Sequence, residues 1–190
     1  MNANVGMLYP VAATVQTYTP GSSISYKSPG SNFAEAVSAS LSWERADGHF
    51  YGDDVELDSD NGILGYTIDF EPSGLSDAAR ALLLGETVSS SEYTISDAAS
   101  PDVGFGYIRK MRDKGTESFE AWWFYKVKFG VSSEETRTKE RSVEWRVPTL
   151  QGVGAGVSLD ATGTLNFCNH QTFNTLQQAK AYLNGKAGIT

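Results

Sequence analysis

Alternation of apolar and polar positions dominates this chain, and it predicts strands. Over residues 36–44, Val37, Ala39, Leu41 and Trp43 alternate with Ser38, Ser40, Ser42 and Glu44. A period of two puts one set on a core and the other in water. The wet set is small and rich in hydroxyls. Residues 63–71 repeat the pattern with Leu64, Tyr66, Ile68 and Phe70, and residues 103–111 repeat it with Val103, Phe105, Tyr107 and Met111. The longest run is 119–131, where Ala121, Trp123, Tyr125, Val127, Phe129 and Val131 align and Glu120, Lys126 and Lys128 lie opposite. Trp122 and Phe124 make its first half apolar on both faces. That half should be covered twice, by the subunit's own helix or by another subunit. A fifth strand carries Val143, Trp145 and Val147 against Ser142, Glu144 and Arg146. Pro148 has no amide donor, so this strand should end or lie at an edge there. A strand over 7–16 opens the chain, before a loop containing Pro20 and Pro29.

Two stretches read as helix. Residues 76–84 are rich in helix formers; Ser76 or Ser73 can cap them, Asp77 suits the positive end, and Gly85 can close them. Near the C-terminus, Thr172 can cap a helix over 173–183, with Phe173, Leu176, Lys180 and Leu183 on one stripe and Gly185 at its end. Three connections are long. Residues 46–61 carry Asp47, Asp53, Asp54, Glu56, Asp58 and Asp60; residues 86–102 are Ser-rich; residues 132–141 alternate in sign through Glu134, Glu135, Arg137, Lys139, Glu140 and Arg141. The fold class is therefore mainly β, a sandwich or barrel-like arrangement with one flanking helix and one C-terminal helix.

Composition narrows the function. The chain has 190 residues, 40% hydrophobic, with 4 Trp, 9 Tyr and 9 Phe, enough for a core in one domain. Its formal net charge of −8 argues against wrapping nucleic acid, which needs clustered cations. Cys168 is the single cysteine and forms no internal disulfide. The first residues lack a basic segment followed by an apolar run, so no secretory leader is expected, and no apolar stretch approaches the roughly 20 residues needed to span a bilayer.

Candidate chemistry is sparse. His49 and His170 lie far apart, outside any nucleophile motif. Residues 58–62 resemble the start of a calcium loop, but the glycine comes one position early and the twelfth position is Asp69 in a strand, so Asn61-Gly62 reads better as an acidic hairpin turn. The glycines at 152, 154 and 156 have no Lys-Ser/Thr after them and read as a flexible strand end, not a phosphate loop. Arg109, Lys110, Arg112 and Lys114 lack interleaved aromatics and read as a surface turn. No catalytic residue, metal or cofactor is expected.

In order, these elements resemble the major tail proteins, or tail tube proteins, of bacteriophages with long non-contractile tails. The run from Phe119 through Trp122, Trp123, Tyr125, Lys126, Val127 and Lys128 to Phe129, then a polar loop, then Trp145, Arg146, Val147, Pro148, Thr149, Leu150, Gln151 and Gly152, is similar to that family's aromatic strand, loop and Pro-Thr-Leu/Ile-Glu/Gln-Gly close. Upstream, Phe50-Tyr51-Gly52-Asp53-Asp54 resembles its Tyr-Ala-Asp-Asp loop, and residues 75–85 its single helix. The resemblance spans residues 5–156; residues 157–190 match none of it. It implies a tail tube domain over 1–156, with an N-terminal arm over 1–34, and a C-terminal extension over 157–190.

It further implies a virion protein made in the host bacterial cytoplasm. Such a subunit forms hexameric rings that stack into a hollow tube, meets the tape measure, distal tail and terminator proteins, binds no membrane, and lets DNA pass without holding it. On that reading Ser38, Ser40, Ser42 and Glu44 line the lumen. The acidic loop with Asp47, Asp53, Asp54, Glu56, Asp58 and Asp60, and the mixed loop with Glu134, Glu135, Arg137 and Lys139, reach neighbouring copies, the acidic one ordering on assembly. Trp43, Trp122, Trp123, Tyr125, Phe129 and Trp145 serve core and interfaces. A terminator or distal tail subunit of the same fold, a carbohydrate-binding sandwich using Trp122 and Trp43, and a β-rich enzyme with a carboxylate pair are the alternatives.

Overall fold

A computed structural model describes residues 3–33, 35–52, 55–89, 92–94, 99–133 and 147–189, with backbone alone over 50–52, 55–59, 88–89, 92–93 and at 132. The elements in chain order are β1 (Ala3–Thr19), β2 (Ser23–Tyr26), β3 (Ser31–Asn32), β4 (Ala36–Arg45), β5 (Gly48–Gly52), β6 (Val55–Asp60), β7 (Ile63–Pro72), α1 (Asp77–Leu84), β8 (Thr87–Ser89), β9 (Glu92–Thr94), β10 (Val103–Asp113), β11 (Thr116–Ser133), β12 (Thr149–Ala155), β13 (Val157–Ser158), β14 (Leu165–Asn166), β15 (Cys168–Phe173) and α2 (Leu176–Ala187). The chain is mainly β, as its alternation predicts. Neither helix is long and apolar enough to cross a membrane.

One large antiparallel sheet runs β2-β1-β10-β11-β12-β7-β4, with β3 added to β1 and β15 to β11. It does not lie flat. Phe70 on β7 and Phe105 on β10 are three strands apart, about 14 Å in a flat sheet, yet their ring centroids are 5.2 Å apart. The sheet therefore curls over its own side chains, giving the sandwich-like architecture. Phe33, Tyr66, Ile68, Phe70, Phe105, Phe124, Val127, Phe129 and Leu150 fill the fold, and Ala79 and Leu83 of α1 plug it. Helix α1 forms as its sequence dictates: the Ser76 hydroxyl accepts from the Ala79 amide, and Gly85 closes the helix in the left-handed region at φ 70°.

β11 changes partners part-way along. Its partner on one side is β10; on the other side it pairs with β15 over residues 119–124 and with β12 over residues 127–133. Between Phe105/Phe124 and Val103/Val127 the register slips, because β11 spends three residues where β10 spends two. This bulge reverses the faces. Ala121 and Trp123 belong to a second cluster with Val11, Ile108, Ala179, Leu183 and Ala187, whereas Val127 and Phe129 face the first core. The unbroken alignment expected from Ala121 through Phe129 is thus corrected. The double cover expected for the first half of this strand is supplied within the chain: α2 lies over Trp123, and the curled sheet lies over Phe124.

Other expectations change too. The C-terminal helix starts later than predicted, capped by Thr175 rather than Thr172, and it runs through Gly185 to close at Gly188; its buried stripe is Ala179, Leu183 and Ala187, without Lys180. Phe173 ends a strand, β15, that polar residues hide. Val147 and Pro148 belong to no strand and β12 begins at Thr149, consistent with a break at the proline, whereas the glycines of β12 are packed rather than flexible. A Cβ on Gly154 would sit 2.0 Å from the Tyr66 ring. The Asn61-Gly62 pair is not a hairpin turn: β6 before it pairs with β5 and β7 after it pairs with β4, so β5 and β6 prolong the β4–β7 hairpin as a distal ribbon. The described residues of the 46–61 segment form this ribbon, through β5 and β6, rather than the expected loop. Residues 142–146 of the predicted fifth strand, with Trp145, lie outside the described residues, as do Asp53, Asp54, Glu134, Glu135, Arg137 and Lys139.

Candidate functional site

The last stretch of β11 with β12, β7 and β4 forms four strands whose inner face makes the core and whose outer face no described element covers. The register sets that outer face row by row. Lys128, Val153, Thr67 and Ser42 make one row; Gly130, Gln151, Asp69 and Ser40 make the next; Glu71 and Ser38 follow on one side, and Ala155, Gly65 and Glu44 on the other. Ser38, Ser40, Ser42 and Glu44 are all exposed, so the predicted wet set is where alternation put it. Sequence reasoning missed the β7 and β12 contributors; Thr67, Asp69, Glu71 and Gln151 occupy the polar phase of their own strands and were legible there once pairing was known.

The face is short-chained and self-satisfied. The Ser38 hydroxyl donates to Glu71 Oε2 at 2.7 Å, and the Gln151 amide donates to Asp69 Oδ1 at 3.1 Å. Three carboxylates, from Glu44, Asp69 and Glu71, stand against one cation, Lys128. Such a surface repels a polyanion and offers its phosphates few donors.

Among the described residues, neither edge of this four-stranded unit has a strand paired to it. β4 pairs only with β7 among the described strands, and β11 beyond Val127 has β12 on one side and no described strand on the other. A hollow of about 290 Å³ lies over β11 and β12 there, lined by Ser100, Lys128, Gly130, Val131, Gln151 and Val153. β4 has no Pro or Lys to blunt its edge, the usual protection against strand addition.

The remaining candidate residues are dispersed. Trp123 and Phe129 are buried, while Trp43, Trp122 and Tyr125 are half-buried. Trp122 lies between the Arg109 guanidinium, 4.7 Å from its ring centroid, and the His170 ring, stacked at 4.5 Å and 12°. Trp43 packs against Tyr66 and edge-on to Phe167. Asp47 is exposed and pairs with His49 at 3.1 Å; Asp60 is exposed and accepts from the Gly62 amide; Glu56 and Asp58 lie on β6. The two histidines thus sit in separate settings, and burial pushes the Cys168 thiol up, away from reactive thiolate. Of the basic group, Lys110 is held by Glu117 at 2.8 Å beside the two-residue turn Lys114-Gly115. Among the described residues no three His, Cys, Asp or Glu converge as metal ligands. No protein-family model, curated protein or solved structure matches the chain.

Proposed function

We propose that the chain is the structural subunit of a phage tail tube, self-assembling into stacked hexameric rings around a channel that conducts DNA. The observation that carries this is the four-stranded unit with a largely polar bare face and two edges that pair with no described strand. Edge-to-edge addition of β4 of one copy to the free edge of β11 of the next satisfies both rows of main-chain donors and acceptors. Such a heterologous contact closes into a ring when the rotation allows. Six copies of four strands at about 4.8 Å spacing give a circumference of about 115 Å and a backbone diameter of about 37 Å before strand tilt widens it. The faces of Ser38, Ser40, Ser42, Glu44, Thr67 and Asp69 then surround the bore with short hydroxyls and carboxylates, on which a duplex meets one cation per subunit, Lys128. The role is structural, without catalysis or cofactor, and the neighbours are other copies and the tape measure, distal tail and terminator proteins.

A sugar-binding sandwich has less support, because its platform residues are engaged: Trp122 between Arg109 and His170, and Trp43 against Tyr66 and Phe167.

Light scattering across a concentration series, with electron microscopy of the same samples, tests the proposal. Rings and tubes with an axial channel are expected. A strictly monodisperse monomer at every concentration and salt overturns it. Rings that never lengthen point instead to a terminator or distal tail subunit.

A further inference from the structure

Two bulges break the alternation of the β4–β7 pair, one at each end. Between Ala36 and Ser38 the register shifts, and the extra residue on β4, Val37, is 57% exposed. Between Glu44/Gly65 and Arg45/Ile63 it shifts again, and the extra residue on β7, Leu64, is 60% exposed. Unbroken alternation would put both with the core residues of their strands; the bulges turn them out. They stand about 23 Å apart along the strands, at roughly 3.3 Å per residue.

Edge-to-edge ring closure leaves these two ends facing along the axis, the Leu64 end at the base of the β5–β6 ribbon. Val131, 42% exposed, lies at the Val37 end, since it pairs with Leu150 and through it with Phe70 and Ala39. The ends also differ in charge. The Val37 end carries the carboxylates of Glu35 and Glu71, the latter paired across from Ser38. At the Leu64 end stands Arg45, exposed and donating to the Asn61 carbonyl at 3.2 Å.

We infer that these ends meet between successive rings, with Val37 and Val131 of one copy packing against Leu64 of a second copy and Arg45 facing Glu35 and Glu71. This rests on the tube reading and adds the axial contact to it. An apolar spot at one end of a subunit and its complement at the other make a heterologous joint that propagates along an axis. Its repetition around each ring makes a modest contact collectively strong.

Two sets of variants test it in the full chain. In Val37→Ser/Leu64→Ser both sites are exposed, so folding and ring formation are expected to persist, while tube mass falls on the order of tenfold or more because the contact is multivalent. In Val37→Cys/Leu64→Cys on a Cys168→Ser background, oxidation of assembled protein is expected to give a covalent ladder of more than six chains on a non-reducing gel, whereas either single variant on that background stops at dimers. Tubes of wild-type length from the double Ser variant, or no ladder from the double Cys variant, overturn the contact and leave the tube reading standing. A wild-type chain that forms neither rings nor tubes overturns both.

Discussion

β11 passes through two environments. Before its bulge, Ala121 and Trp123 lie beneath α2 while Phe124 faces Tyr66 and Tyr107, so the sheet is covered on both sides. After the bulge, Phe129 still faces the core, but Lys128 and Gly130 open to water. The two halves share a strand and a core and differ in what lies over the outer face. The covered half spends apolar residues on that face and recruits a helix to bury them. The bare half spends mostly serine, threonine, glutamine and carboxylates, with Lys128 and the exposed Val153 among them, and no described element covers it. Its exposure is therefore written into the side chains, as a surface made for water.

The contrast can be broken most strongly in the covered half. Trp123 is fully buried, donates to the Tyr26 hydroxyl at 3.2 Å, and fills space that a Cβ on Gly104 would enter at 2.4 Å. Trp123→Ala should lower stability by about 3–5 kcal/mol in chemical denaturation. Alkali should then strike both halves, because their inner faces are equally buried. Burial raises the hydroxyls of Tyr26, Tyr66 and Tyr107 above the ordinary tyrosine value. With folded values above unfolded ones, the stability they confer is complete below about pH 10 and is lost as pH rises beyond it, by about 1.4 kcal/mol per tyrosine for each unit. Denaturation midpoints from pH 8 to 11, as roughly spaced points on that curve, should be flat and then fall.

In the bare half, the inner face is as constrained as any core. Gly154→Ala drives a methyl into the Tyr66 ring and should cost about 1–3 kcal/mol. The outer face should be indifferent: Ser40→Ala and Ser42→Ala should each shift stability by no more than about 0.5 kcal/mol in the same denaturation assay. A large loss at either serine would mean that the outer face is packed after all.

Much of this was legible in the sequence where alternation is strict. Ala39, Leu41 and Trp43 face inward and Ser38, Ser40 and Ser42 outward as their period of two requires, and Ser76 and Gly85 bound α1 as their capping chemistry requires. What stayed hidden has physical causes. Bulges at Val37, at Leu64 and beside Tyr125 arise from pairing with a distant strand, and local pattern does not encode them. β15 reads Cys-Asn-His-Gln-Thr-Phe, with no apolar alternation, and is held by the β11 backbone instead. The glycines of β12 mimic a flexible loop because the rings that need the space, Tyr66 and Phe129, come from other strands. The polar face was readable on β4 alone; its neighbours emerged only with the strand order.

An electron cryomicroscopy reconstruction of the assembled protein tests the central claim most directly. The account predicts a tube whose bore is lined by Ser38, Ser40, Ser42, Glu44 and Asp69, with β4 of each subunit hydrogen-bonded to the free edge of β11 in the next. A tube with that face on its outside, or buried between subunits, would contradict it.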